Sequence, residues 1–168
     1  MTDKGIITLE RTLVLVKPEA IDFRYDFLER VDAVAERIFD RKLERVPAQV
    51  WREHYLQFNG KPYFEPMVRD FDGRPVHVAV YGGAEGTIQR IRDVQGKTRP
   101  WEAVAGTIRG DFRDALVARG VVLKEDLGNG YFLVRNFIHA SDSPESFIRE
   151  AGVWGNFLGI DLINVGRN

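Results

Sequence analysis

No cysteine occurs in the 168 residues. Disulfides, thiolate metal sites and cysteine nucleophiles are therefore excluded at the outset. Histidine is nearly as scarce: three are present, scattered at His54, His77 and His139, a spacing that makes no metal motif. No apolar run approaches the ~18 residues needed to cross a bilayer, so no membrane partner is expected. Neither charge is in excess, with 24 Lys and Arg against 25 Asp and Glu. That balance, with a pI near 6.3, argues against a general nucleic-acid or membrane-surface binder. The opening MTDKGIITLERT puts charges on both sides of a very short apolar pair. That is not a signal-peptide pattern, and a cytoplasmic protein is expected.

What is present supports a real core. Hydrophobic residues make up 44% of the chain, enough at this length for a single domain over 1–168. TLVLVK (12–17), closed by Pro18, predicts a buried strand. Phe27, Val31, Val34, Ala35 and Ile38 then recur at helical spacing. A second strand is predicted over 41–51, with Pro47 pushing its later half to an edge or bulge. Short helices follow over 52–57 and 63–70. RPVHVAVYGG (74–83) predicts the third strand, 84–95 a helix, and YFLVRNFIH (131–139) the fourth strand. The last helix runs from Pro144 to Trp154, with Asp142 as its cap and Pro144 in its first turn. The stretch 113–130 reads as an inserted hairpin or short helix with a loop at KEDLGNG, and 155–168 as a tail. Four strands with helices over one face suit a small α+β sandwich better than a doubly wound sheet.

Two apparent phosphate-binding motifs fail. GKT at 96–98 would need a glycine where Ile91 stands, and it follows a helix rather than a strand. YGGAEG (81–86) lacks the spacing of a dinucleotide fingerprint. A basic set remains, Arg90, Arg92, Lys97 and Arg99, then GTIRGD at 106–111. Most of these charges read as solvated faces. Arg109 stands apart, because flanking glycines let backbone approach a ligand and its fork of donors matches phosphate oxygens. Asp111 is placed to hold that fork still.

His139 ends the fourth strand and faces a helix N-terminus, whose unpaired amides favour an anion nearby. Ser141 and Glu150 are positioned to orient its ring. A neutral imidazole can attack without a costly deprotonation. His54 and His77 have no comparable surroundings.

Together with ERTLVLVKPEA and GTIRGDF, the segment NFIHASDSPES resembles the nucleoside diphosphate kinase family. The likeness runs from about Glu10 to Trp154, with the motifs in the family's order. It implies a ferredoxin-like α+β sandwich with a four-stranded antiparallel sheet covered by helices. It also implies His139 as phosphoryl acceptor, Lys17 and Asn136 at the nucleotide sugar, and Tyr55 beside the active site. Tyr63 falls where the family stacks an aromatic on the base. Arg92, Thr98 and Arg109 match the phosphate-binding residues, and Glu150 the carboxylate that helps position the histidine.

By the same resemblance, a nucleoside triphosphate carrying Mg²⁺ gives its γ-phosphate to His139 and a nucleoside diphosphate collects it. Ping-pong kinetics and little base specificity are implied. A homo-oligomer, hexamer or tetramer, is expected. A catalytically silent nucleotide-binding or interaction member is the alternative, disfavoured because His139 and its supporting residues are all present. Three stretches depart from the family pattern. IDFRYDF (21–27) replaces an arginine–glycine turn, the connection from Asp111 to Asn136 is longer, and the tail GNFLGIDLINVGRN ends differently.

Overall fold

Strand β1 (Leu9–Val16) threads the centre of the molecule, its last five residues all buried. It pairs antiparallel with β3 (Arg74–Ala84), from Leu9 opposite Ala84 to Val16 opposite His77. Strand β2 (Glu36–Val46) adds antiparallel to β3, and β6 (Ile138–Ala140) antiparallel to the free side of β1. The order is β2-β3-β1-β6. The computed structural model describes residues 9–167. Residues 1–8, which carry the reading against a signal peptide, and Asn168 lie outside the described residues.

Side chains alternate across the pleat. Leu13 and Leu15 share one face with Val76, Val78 and Val80, while Val14 and Val16 share the other with Ala79 and Tyr81. Helices α2 (Ala48–His54), α3 (Phe64–Phe71) and α6 (Pro144–Leu158) bring Trp51, Phe71 and Trp154 to the first face. Helices α1 (Arg24–Asp32), α4 (Thr87–Gln95) and α5 (Ile108–Ala118) bring Phe27, Ile91 and Ile108 to the second. Helices over one face were expected; both faces are covered. The unbroken apolar run in β1 is the physical counterpart, since no side of it meets water. The result is a ferredoxin-like α+β sandwich.

Several boundaries differ from the sequence reading. The helix after Pro18 stops at Asp32, and Ile38 lies in β2 rather than on that helix. Pairing with β3 from Glu36 onward claims the residues that helical spacing had suggested. The second strand ends at Val46 instead of reaching Trp51. Pro47 terminates it and starts α2, where its fixed φ is compatible with a helix entry. The cap of α6 is Ser143, whose hydroxyl accepts the Ser146 N–H at 3.1 Å. Asp142 accepts the Ser146 hydroxyl instead.

The fourth strand is split. Strand β5 (Tyr131–Val134) pairs with β4 (Lys124–Gly128) in a separate hairpin, and only β6 joins the main sheet. Residues 113–130 thus form the end of α5 and the first strand of this hairpin. Arg135 ties it down, meeting both carboxylate oxygens of Asp70 on α3 at 3.0 Å and Glu125 at 2.8 Å. The break falls at Phe137, a buried residue with φ +71°. A left-handed non-glycine residue costs roughly 1–2 kcal/mol. Two bonds hold it: Phe137 N–H donates to Glu19 Oε1 at 3.1 Å, and its carbonyl accepts the Lys17 N–H at 2.8 Å. The kink turns the chain so that the next residues enter the sheet beside β1.

Candidate active site

Register places His139 opposite Leu15, on the sheet face that α2 and α6 cover. Glu150 sits on the second turn of α6 and reaches back toward the strand end, as helical side chains do. Its Oε2 lies 2.7 Å from His139 Nε2 and accepts the Ser141 hydroxyl, also at 2.7 Å. Glu150 is 3% exposed and His139 20% exposed. An ionised carboxylate only accepts hydrogen bonds, so Nε2 carries the proton and Nδ1 keeps the lone pair. That tautomer is assigned from the bonding network.

A cleft of about 930 Å³ opens in front of the ring. Lys17, Tyr55, Arg92, Thr98, Arg109 and Asn136 wall it together with His139 and Glu150. Lys17 Nζ donates to Asn136 Oδ1 at 2.6 Å. Burial pushes the Lys17 ammonium down to about 8, Glu19 opposing and Arg109 adding to the shift. Burial also lowers Arg109 to about 10. The Tyr55 hydroxyl is buried without a partner among the described residues, and burial raises its pKa. Buried polar groups are normally bonded, so this donor is left for something that enters the cleft.

Arg109 is fixed differently from expectation. GTIRGD opens α5, and Thr107 caps the helix by accepting the Gly110 N–H. Three guanidinium nitrogens donate to the carbonyls of Asn136, Gly96 and Ile138, at 2.9, 2.7 and 2.6 Å. Of five N–H donors, two remain for the cleft. Asp111 does not hold this fork. It pairs with Arg30 at 2.6 Å and accepts the Gly106 N–H at 2.8 Å, because α5 turns it to the opposite side. Arg92 and Thr98 are exposed and make no side-chain bond among the described residues.

Two expected residues stand off the cleft wall. Ser141 is fully buried behind Glu150, and its hydroxyl also accepts the Leu13 N–H. Tyr63 is half-buried and packs edge-on to Phe58, ring centroids 5.8 Å apart. Phe58, not Tyr63, lines the cleft. The sequence reading also set His54 aside as lacking comparable surroundings and passed over Arg149 and Phe58. His54 is fully buried and stands 4.7 Å from the His139 ring at 85°. Nothing local in EHYLQF reveals that packing across elements.

His54, His139 and Glu150 are close enough to suggest a metal centre, their ligand atoms lying within 4.8 Å of one another. The bonding argues against one. Trp154 Nε1–H, which can only donate, meets His54 Nδ1 at 3.2 Å. His54 therefore keeps its proton on Nε2, and both Glu150 oxygens are already engaged, Oε2 by His139 and Ser141 and Oε1 by Arg149. No protein-held metal is needed to explain the cluster.

A family model described as nucleoside diphosphate kinase matches residues 10–157. The chain belongs to the nucleoside diphosphate kinase family. It is an enzyme of the phosphotransferase class by that membership. The chain is 37% identical to a nucleoside diphosphate kinase of Chloroflexus aggregans over 148 residues, 87% of each chain. It is 36% identical to that of Bacillus licheniformis, covering 87% of this chain and 88% of the relative. Among solved structures, it is similar to a transition-state mimic of the Borrelia burgdorferi nucleoside-diphosphate kinase with bound vanadate and ADP. The TM-score is 0.70 at 26% identity, covering 87% of this chain and 86% of that one. A family protein from Babesia bovis aligns with TM-score 0.67 at 29% identity, covering 86% and 87%. No described helix of this family member is long and apolar enough to cross a membrane.

Proposed function

We propose that this enzyme moves the γ-phosphoryl group of a nucleoside triphosphate to a nucleoside diphosphate through phosphohistidine at His139. The observation that carries the reading is the 2.7 Å contact between His139 Nε2 and Glu150, at the wall of a cleft lined by cations. It leaves the Nδ1 lone pair as the nucleophile. Nδ1 forms a bond to the γ-phosphorus as the bond from that phosphorus to the β–γ bridging oxygen breaks. The bridging oxygen takes the electron pair and departs as nucleoside diphosphate. No proton has to leave the ring, because Glu150 stabilises the positive charge that develops on it. Transfer to the next diphosphate reverses each step.

The cleft's cations supply donors where negative charge builds up, Arg92 and the two free Arg109 N–H groups foremost. Lys17, Asn136 and the Tyr55 hydroxyl are assigned to orienting the nucleotide and the ring. Mg²⁺ enters with the nucleotide, on whose phosphates it neutralises charge; a cationic wall suits a metal that arrives with its substrate. The base is assigned to Phe58, with Tyr63 buttressing it from behind. Contact with a ring face rather than base edges implies low base specificity. We take the enzyme to be a single cytoplasmic domain that assembles as a homo-oligomer, hexamer or tetramer. His139, Glu150, Lys17, Arg92, Arg109 and Asn136 share one cleft, which speaks against the silent alternative.

Initial-velocity kinetics test the reading. With Mg²⁺ present and both nucleotides varied, the double-reciprocal lines should be parallel. Intersecting lines would mean direct transfer in a ternary complex, and no turnover would favour the silent alternative.

A further inference from the structure

Glu150 is held from both sides. Its Oε2 serves His139 and Ser141, while its Oε1 accepts Arg149 Nη2–H at 3.2 Å. Arg149 Nη1–H donates in turn to the His54 carbonyl at 2.9 Å. That carbonyl belongs to the last residue of α2, one of the helix-end acceptors that lack an intrahelical partner. One guanidinium therefore bridges the end of α2 to the carboxylate on α6. The buried Glu150 gains its cationic neighbour from a side chain that is itself 41% exposed and lines the cleft.

We propose that Arg149 is a positioning residue for the phosphoryl transfer. It acts through Glu150 and rests on the reading of His139 as phosphoryl acceptor. A carboxylate anchored at one oxygen can rotate about its end. Anchored at both, it keeps Oε2 in line with the ring nitrogen, and the ring keeps Nδ1 turned to the cleft. Rigid second partners of this kind fix the tautomer and orientation of a functional histidine. Arg149 also offsets part of the Glu150 charge. Other charged or titratable groups face the pair: Lys17 just after β1, His54 at the end of α2 and Tyr55 just after it, Arg92 from α4, Arg109 from α5 and Asp142 ahead of α6. Among the described residues, only Arg149 makes an ion pair with Glu150 besides His139.

The test compares Arg149→Gln and Arg149→Lys in the full chain, using ATP, Mg²⁺ and GDP. Loss of a hydrogen bond to a charged group predicts that kcat for Arg149→Gln falls about tenfold, with KM nearly unchanged. The acid limb of its pH–rate profile should move to higher pH, because the negative charge of Glu150 is then less offset. Arg149→Lys should restore the profile and part of kcat. If Arg149→Gln melts well below the wild type, Arg149→Met, which keeps the aliphatic stem but none of the donors, takes its place in the same comparison with the same expected losses. An unchanged kcat and profile would overturn the inference. So would a rise in KM alone, which would make Arg149 a ligand contact. If the wild type itself forms no phosphoenzyme, the reading of His139 fails and this inference fails with it. Phosphoenzyme in the wild type with a neutral effect of Arg149→Gln sinks the inference alone.

Discussion

The indole N–H of Trp154 on α6 donates to Nδ1 of His54 on α2, 3.2 Å away, with both residues fully buried. The bond joins two helices that cover the same face of the sheet, directly behind the His139 ring. Burial, reinforced by His139, Arg149 and Lys17, holds the His54 pKa well below its ordinary 6.5.

A pH dependence of stability follows from this. Below about 6.5 the unfolded chain binds a proton at His54 that the folded chain refuses, so stability falls as pH drops through that region. His54→Gln removes that difference. Its urea midpoint should be lower than wild type at pH 7 but should decline less between pH 6.5 and 5. Parallel declines in the two proteins would assign the acid sensitivity elsewhere.

Lys17 lies on the cleft wall. Its ammonium, lowered to about 8 by burial, loses its charge near that pH in the free enzyme. Binding of a nucleoside diphosphate, measured by calorimetry, should therefore weaken above pH 8. In Lys17→Met the affinity should be lower throughout and flat across the same range. The same shift means that the unfolded chain, titrating near 10.5, holds the proton to higher pH. Stability should thus rise with pH between about 8 and 10.5.

Phe58 and Tyr63 make distinguishable predictions. Stacking on a base contributes about 1–3 kcal/mol, so Phe58→Ala should raise KM for nucleotides about tenfold with kcat largely preserved. Tyr63→Ala should have the smaller effect. The reverse ranking in steady-state kinetics would place the base on Tyr63, as the family resemblance alone implies.

Gly110 has a packing reason rather than a conformational one. A Cβ there would overlap the carbonyl oxygen of Val104, which is backbone and cannot rotate away. Gly110→Ala should cost roughly 1–3 kcal/mol through overpacking. It should also reduce activity by shifting Arg109, its neighbour on α5. An unchanged thermal midpoint and kcat would show that the 104–110 segment yields without cost.

Much of this arrangement is legible in the sequence, because its signals are local. The β1 and β3 runs are apolar enough to be strands in any context, and Pro144 marks the first turn of α6, although the cap is Ser143 and not the expected Asp142. His139, Lys17 and Asn136 sit in motifs whose order identifies the family. What escaped depends on contacts between distant segments. No glycine announces the positive φ of Phe137, since its strain is held by Glu19 and Lys17 from the other end of the domain. The partner of Asp111 is Arg30, 81 positions away, so neighbouring Arg109 looked like the natural choice. Arg149 did leave a trace: Ser146, Arg149 and Glu150 recur at helical spacing after His139, on the face that meets the cleft. Phe58 left none, because the turn after α2 that presents it has no periodicity to read.

The most direct measurement is the phosphoenzyme itself. After incubation with γ-labelled ATP and Mg²⁺, the wild type should carry label that is acid-labile, maps to His139 and is released as labelled triphosphate by GDP. His139→Gln should fold normally and carry none. Full labelling of His139→Gln, or label on the wild type that no nucleoside diphosphate removes, would contradict the account.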